Sequence, residues 1–462
     1  MPTHVIILAA GEGRRMKSDL PKVAHVAAGR PLVNHVIAAT RAIEPATTVV
    51  VVGHGADRVR SILPEGVVDA LQAEQLGTGH ATQIGLDALG SVDPHDVIVV
   101  LYGDTPLLTA DLLVELADID ASESARLISA HVDDPTGYGR VTRDADGSVS
   151  GVVEHGDCTP EQLEIDEINA GIYAVRAGRL VDTLKKVTND NAQGEYYLTD
   201  VVGILVSEGD ILTAVRASPQ EVIGINSQDQ LAEARKELRR RTNQRLMETG
   251  VEIIDPDRTY IDETVKVSAG ARIYPGTHLE GSTSVGAGSR VGPDVFAVDS
   301  VIGDDSVVWY AVLREAEIGN GCEAGPYASL RPGTVLEDGA KIGTFVETKN
   351  ATMGEGAKAN HLAYLGDVAV GARSNIGAGV VTVNYDGVEK SRTEIGQDAF
   401  IGSDTMLVAP VTIGDRASTG AGSVITKDVS DDALAVERTD QKEIPDYSQR
   451  REARRAARKA ED

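Results

Sequence analysis

Two groups of residues in this sequence have the types and spacing that chemistry requires. In the first, Gly11-Glu-Gly13-Arg-Arg15-Met16 follows the apolar run 4–10, with Pro21-Lys22 close behind. Glycine directly after a strand lets backbone N–H groups approach a phosphate, and Arg15 and Lys22 supply cations. The loop is not G-x-G-x-x-G, which disfavours a dinucleotide fold. A second polar loop, Gln72 through Gly77-Thr78-Gly79-His80, leads into a helix. It reads as a plain helix entry or as a base-binding loop, with Gln72 on a base edge and Gly77-Thr78 leaving room for a planar ring. His80 reads as structural or solvated, because no Cys or His stands at ligand spacing from it. The apolar run 97–101 ends in Tyr102-Gly103-Asp104. That puts a carboxylate just past the carboxyl end of a central strand, where open α/β sheets bind ligands. Aspartate is also a hard oxygen ligand suited to Mg2+.

The second group lies far downstream, in Phe345-Val-Glu-Thr-Lys349 through His361-Leu-Ala-Tyr364 and in residues 383–390. Taken alone, His361 reads as a satisfied structural histidine. Its reading as a base leans on the neighbours Lys349, Tyr364, Asn375 and Asn384, and above all on the resemblance described below.

The elements that must hold these groups are of two kinds. Runs 4–10, 48–52 and 97–101 read as buried strands, with a helix near 57–63, so the first half is α/β with a mainly parallel sheet. From residue 261 to about 429 the period changes to six: Ile261, Val267, Ile273, Leu279, Val285 and Val291 are in phase. So are Ile318, Ala324, Leu330, Leu336 and Ile342, and then Ile395, Ile401, Leu407, Ile413 and Ile425, with Thr419 skipped. A six-residue period is the signature of a parallel β-helix, each hexad one short side of a coil. An aromatic content of 3% suits a core of stacked aliphatics. The repeat breaks at 345–364 and at 383–390, the latter predicted to be a loop thrown out of a coil. Between the halves, Ser227-Gln-Asp-Gln230 reads as a capping box that opens a helix ending near Gly250. Its polarity predicts a solvated linker.

Length and charge set further bounds. At 462 residues the chain requires two or three domains. The formal net charge of −27 argues against nucleic acid or an anionic membrane as partner. The sequence enters its first strand without a basic, apolar leader, and its two cysteines, Cys158 and Cys322, make no disulfide framework. The expectation is a cytoplasmic protein with no membrane segment.

Leu8-Ala-Ala-Gly-x-Gly-x-Arg-Met16, Lys22, Gln72 to Thr78 and Tyr102-Gly-Asp104 together resemble a sugar-1-phosphate nucleotidyltransferase. Gly137-Tyr-Gly139-Arg, Val153-Glu154-His155, Glu167-Ile-Asn169-Ala-Gly171, Gln193-Gly-Glu-Tyr-Tyr197 and Gly224-Ile-Asn226 narrow the match. The whole chain resembles the bifunctional bacterial enzymes that join glucosamine-1-phosphate acetyltransferase to N-acetylglucosamine-1-phosphate uridyltransferase. The resemblance implies a Rossmann-like α/β domain at 1–226, a linker helix at 227–250, a left-handed parallel β-helix of hexapeptide repeats at 251–438 and a tail at 439–462. It also implies a homotrimer acting on small molecules.

For uridylyl transfer it implies that Arg15 and Lys22 bind phosphates and offset developing charge. Leu8, Ala9, Ala10 and Gly11 line the UTP site, where Gln72, Gly77 and Thr78 select uracil, with Tyr102 and Gly103 beside them. Asp104 and Asn226 would hold Mg2+, and Gly139, Glu154 and Asn169 would hold the sugar. For acetyl transfer it implies His361 as base, Arg331 and Lys349 on the sugar phosphate, and Tyr364 and Asn375 placing the sugar. Asn384, Tyr385 and Ser403 would orient the amine and stabilise the oxyanion. Ala378, Ala421 and Arg438, with Asn384, Tyr385 and Ser403, match positions that contact acetyl-CoA. The alternative is a sugar-1-phosphate nucleotidyltransferase whose β-helix only oligomerises.

Overall fold

The N-terminal apolar run forms strand β1 (Thr3–Ala9) in a computed structural model that describes residues 1–191 and 193–461. Period-two alternation divides its side chains between two cores. Val5, Ile7 and Ala9 join one buried cluster, and Ile6 and Leu8 join another. A strand covered on both faces reads as a continuous apolar run, which is why 4–10 carries no polar residue after His4. The other strands of this sheet are β2 (Thr47–Val52), β3 (Val68–Leu71), β4 (Val97–Tyr102), β5 (Ala125–His131), β6 (Arg140–Arg143), β7 (Val149–Val153), β8 (Glu167–Arg176) and β9 (Leu212–Arg216). Their order is β9-β5-β8-β4-β1-β2-β3, with β6 and β7 hairpinned beside β8. Pairing is parallel except in the β6–β7 hairpin and around β8, which runs against β4, β5 and β6. Helix α1 (Thr78–Leu89) starts at the second glycine loop. Gly85 lets it pack closely on the sheet, since a Cβ there would stand 2.4 Å from Ile6 Cγ2.

The chain forms two compact units, and the boundary between Thr242 and Asn243 falls inside helix α2 (Gln228–Glu248). This helix is not the solvated connector that its polarity predicted. Leu231, Ala234 and Leu238 are buried among Met16, Leu32 and Leu107, while Leu246 joins the core of the second unit. Its spaced apolar residues make a narrow stripe that Arg and Glu on the other faces mask in composition.

The second unit is a parallel β-helix, as the period of six requires. Tyr260 pairs with His278 and Arg272 with Arg290, each 18 residues on, so three hexads make one coil. Phe296 pairs with Val312, a coil two residues shorter. The in-phase aliphatics form one continuous buried core from Ile261 to Ile425, with Val267 half-buried against it. Thr419, the skipped position, is buried as well, and its hydroxyl accepts from the Gly402 N–H at 3.0 Å. Glycine follows the aliphatics because coils nearly touch there: a Cβ on Gly343 would lie 2.1 Å from the Asn360 carbonyl oxygen. At one edge, polar side chains cap the backbone of the preceding coil. Asp304 accepts from Ala287 N–H at 2.7 Å, Asn320 from Asp304 N–H at 2.8 Å, and Asp338 from Asn320 N–H at 2.7 Å.

The two breaks in the repeat differ in kind. At 345–364 the coil is one residue short, with Glu347 pairing with Tyr364, and strands Glu347–Met353 and Lys358–His361 occupy most of it. At 383–390 it is long: Asn375 pairs with Phe400, 25 residues on. The surplus is a loop closed by an antiparallel bridge between Tyr385 and Lys390. The tail forms helix α3 (Tyr447–Glu461), exposed at every residue through Ala460.

Candidate active sites

In the first unit, three segments distant in sequence meet beyond the carboxyl end of β4. Lys22 Nζ donates to Asp104 Oδ2 and, at 2.9 Å, to Asn226 Oδ1. The Lys22 and Asp104 side chains are 16% and 14% exposed, so the pair is screened yet still reaches a cavity. Backbone bonds set this geometry. Gly103 N–H donates to the Leu8 carbonyl, fixing the strand end against the first glycine loop, and Ile225 N–H donates to the Asp104 carbonyl. Gly224 lies against the carboxylate, where a Cβ would stand 3.4 Å from Asp104 Oδ2, an ordinary contact.

The predicted capping box forms only by half. Ser227 Oγ accepts from Gln230 N–H at 3.2 Å, but Gln230 Oε1 takes the N–H of Asn226, at 2.7 Å, in place of that of Ser227. The helix start therefore anchors the site residue Asn226.

Two adjoining cavities of about 310 and 280 Å³ share Tyr102 and Asp104 in their walls. Leu8, Ala9, Ala10, Gly11, Lys22, Gln72, Gly77 and Thr78 line one, and Arg15, Gly139, Glu154, Asn169 and Asn226 line the other. Among the residues singled out for this half, Gly103 is the exception, buried behind the wall. Gln72 donates through Nε2 to the Gly77 carbonyl at 3.2 Å, so one polar side chain ties off the second loop.

Gly77 has φ +110° and faces Tyr196, whose carbonyl oxygen would lie 2.6 Å from a Cβ at this position. Gly77→Ala is therefore expected to displace the loop and to raise the KM for UTP by roughly tenfold or more, as misplacement of a binding element does. Initial rates against UTP concentration measure this.

On the other side, the Asn169 side chain is fixed by Gly171 N–H, 3.1 Å from Oδ1, and by its own bond to Tyr173. Glu154 Oε1 accepts from Thr199 at 3.1 Å, and burial raises the pKa of this carboxyl. The Tyr102 ring lies on Gly171, where a Cβ would come within 2.2 Å of Cε2. Burial, then the charges of Glu154 and Asp104, push the Tyr102 hydroxyl well above the usual range. It stays a neutral donor.

Sequence reasoning passed over Tyr138, Gln230 and Thr105, which also line the larger cavity. Tyr138 was legible inside Gly137-Tyr-Gly139. Gln230 was hidden because its capping role seemed to account for it.

In the second unit, the singled-out residues occupy two columns along the coil. Lys349 pairs in register with Gly366, against which the Tyr364 hydroxyl is packed, and Arg331 N–H donates to the Thr348 carbonyl one coil earlier. Asp367 joins this column, accepting from Asn384 Nδ2 and, at 2.6 Å, from Asn350 Nδ2. Arg331 also pairs with Glu347 at 2.7 Å. The adjacent Lys390 ammonium, then Arg331, lower the pKa of Lys349, against the pull of Asp367. Cations gathered in this way on an otherwise acidic protein suit an anionic group. Lys390 was missed as a site residue because it lies on the extruded loop, far from Lys349 in sequence. Tyr385 turns its hydroxyl to the Gly387 carbonyl at 2.6 Å within the same loop.

The other column begins at His361, which pairs with Thr344 and is exposed. Backbone bonds carry it upward: Gly379 N–H to Leu362, Asp404 N–H to Ala378, and Gly422 N–H to Ser403. Arg438 reaches the Ala421 carbonyl at 3.1 Å. Four of the six positions matched to acetyl-CoA contacts, Ala378, Ser403, Ala421 and Arg438, thus stack coil upon coil above the histidine, whereas Asn384 lies on Asp367 in the Lys349 column and Tyr385 in the extruded loop. Asn375 lies in the neighbouring strand, paired with Lys358 and Phe400. Among the described residues, no hydrogen bond joins His361 to Lys349, Tyr364, Asn375 or Asn384.

Known families and relatives agree with both halves. Residues 5–193 match the MobA-like NTP transferase domain, and residues 392–427 match the bacterial transferase hexapeptide family of six repeats. The chain is 48% identical to the bifunctional protein GlmU of Streptomyces avermitilis, over 99% of this chain and 96% of that one. It is 49% identical to that of Streptomyces griseus over the same shares. To that of Exiguobacterium sibiricum it is 45% identical, over 97% of this chain and all of the relative.

Proposed function

Since this chain belongs to the family of bifunctional GlmU proteins, we propose that it makes UDP-N-acetylglucosamine by two transfers at separate sites. We assign the first to residues 251–438. The amine of glucosamine-1-phosphate attacks the carbonyl carbon of acetyl-CoA, the C–S bond breaks, and the thiol of coenzyme A leaves. The substrate's ammonium must lose a proton before it attacks, and His361 takes that proton as general base and can return it to the departing thiolate. Arg331, Lys349 and Lys390 hold the sugar phosphate.

The second transfer belongs to residues 1–226. A phosphate oxygen of N-acetylglucosamine-1-phosphate attacks the α-phosphorus of UTP and pyrophosphate departs. Such a step needs alignment and charge neutralisation rather than a protein nucleophile. Lys22 and Arg15 supply cations, and Gln72, Gly77 and Thr78 hold the uracil. Glu154, Asn169 and Gly139 hold the sugar.

The donor set also fits Mg2+. Asp104 and Asn226 present oxygens that already converge on one cation, the Lys22 ammonium. Mg2+ is usually held by one or two carboxylates with substrate phosphates and water, and the Asn226 amide carbonyl offers one further hard oxygen. Bound there, Mg2+ would neutralise charge on the phosphates.

The observation that carries this reading is the pairing of one such cation-and-carboxylate site with a second basic cluster on the coil. The split of the acetyl-transfer residues into two columns supports a homotrimer in which one copy's His361 column faces another copy's Lys349 column. No helix among the described residues is long and apolar enough to cross a membrane. UTP and acetyl-CoA as co-substrates make a cytoplasmic enzyme the natural reading.

The test supplies glucosamine-1-phosphate, acetyl-CoA, UTP and Mg2+, following free thiol and pyrophosphate separately. Both are expected, and omitting acetyl-CoA should stop most pyrophosphate release. Chelating the metal with EDTA should stop pyrophosphate release and leave thiol release unchanged. Pyrophosphate only from preformed N-acetylglucosamine-1-phosphate, with no thiol, would make the coil a scaffold.

A further inference from the structure

His80 stands in the first turn of α1, beside the cavity whose wall includes Gln72. Gln72 is 3% exposed, and its Nε2 bonds to the Gly77 carbonyl and to His80 Nδ1, both at 3.2 Å. An amide nitrogen has two hydrogens and no acceptor capacity, so both hydrogens are spent inside the protein. The reversed amide would set Gln72 Oε1 against the Gly77 carbonyl, acceptor facing acceptor. Gly77 thus fixes which end of the amide is which, and His80 takes the hydrogen that remains. It follows that Nδ1 carries a lone pair and the neutral ring holds its proton on Nε2. Gln72 Oε1 accepts no hydrogen bond among the described residues.

We propose that His80 is the positioning residue for base selection, holding Gln72 so that this side chain offers the base an acceptor and no donor. Uracil has an N–H at position 3 and can donate to Oε1. Cytosine has a lone pair at that position and meets acceptor with acceptor. A site whose polar groups are committed in this way discriminates strongly against a base lacking the matching group. The inference rests on the uridylyl-transfer reading and extends it to a residue that touches no substrate.

Its test uses full-length His80→Leu and His80→Asn, comparing kcat/KM for UTP and CTP with N-acetylglucosamine-1-phosphate. Thiol release from acetyl-CoA on the same chain reports on folding. In His80→Leu one amide hydrogen loses its acceptor and Gln72 is held by Gly77 alone, free to turn that hydrogen to the base. The UTP-to-CTP ratio is therefore expected to fall about tenfold, the scale of one hydrogen bond. KM for the sugar phosphate and thiol release should not change. His80→Asn, whose carbonyl can stand in for Nδ1, should keep most of the ratio. If His80→Leu turns over too slowly to measure, the ratio is read from UTP and CTP binding. An unchanged ratio in His80→Leu, or equal losses in both variants, would overturn the proposal. A wild-type enzyme that releases no pyrophosphate from any nucleoside triphosphate would instead overturn the uridylyl-transfer reading.

Discussion

Asp104→Ala is expected to cut pyrophosphate release by about 10²- to 10³-fold, the usual loss when one preorganised electrostatic partner of a transition state is removed. The carboxylate is largely buried at the end of β4 and faces Lys22, which also binds Asn226. Without it, Lys22 retains only the amide oxygen, and the phosphates lose the group proposed to fix their metal ion. The fold should survive, because the Asp104 bond that holds residues 224–226 in place is made by its backbone carbonyl. Pyrophosphate release from N-acetylglucosamine-1-phosphate, UTP and Mg2+ measures the effect, and thiol release from acetyl-CoA and glucosamine-1-phosphate should match wild type. Near-normal pyrophosphate release would remove Asp104 from the mechanism.

The reverse result is expected of His361→Ala. A positioned general base contributes about 10²- to 10⁴-fold, so thiol release should fall by that factor while pyrophosphate release is kept. The side chain is exposed at the end of the strand Lys358–His361, so its loss leaves no internal cavity. The strand's pairing with Lys341–Thr344 is made by backbone and persists. A mutant that binds acetyl-CoA normally but does not acetylate would locate the defect in the chemical step. A mutant that loses both activities while folded would contradict two independent sites.

Much of this was legible in the sequence because it depends on short-range rules. The six-residue period demanded a β-helix, and the surplus at 383–390 demanded a loop, since coils of nearly constant length leave no other place for extra residues. The wall of the proposed nucleotide cavity could be read from Gly11, Gly77 and Asp104, each at the end of a strand or the start of a helix. What remained hidden depends on which residues meet across the fold. Lys390 and Lys349 become neighbours only when coils stack. The polar composition of α2 hid the stripe of Leu231, Ala234 and Leu238. Gln230 obeyed the capping pattern in type, yet its side chain serves Asn226, because the turn before the helix places that N–H within its reach.

The side-chain caps along one edge of the coil bear on how the second unit comes apart. Each bond, from Ala287 to Asp304 to Asn320 to Asp338, links one coil only to the next. Coupling is therefore between nearest neighbours, and such a stack opens from its ends, as a zipper does, more readily than from its middle. A coil lost at the end of the repeat strips the caps from the one before it, and the opening can advance coil by coil. Lys349 and His361 have several coils on either side. Fraying would reach Ala421 and Arg438 first, so partial unfolding should weaken the proposed acetyl-CoA site before it disturbs the proposed base or phosphate cluster.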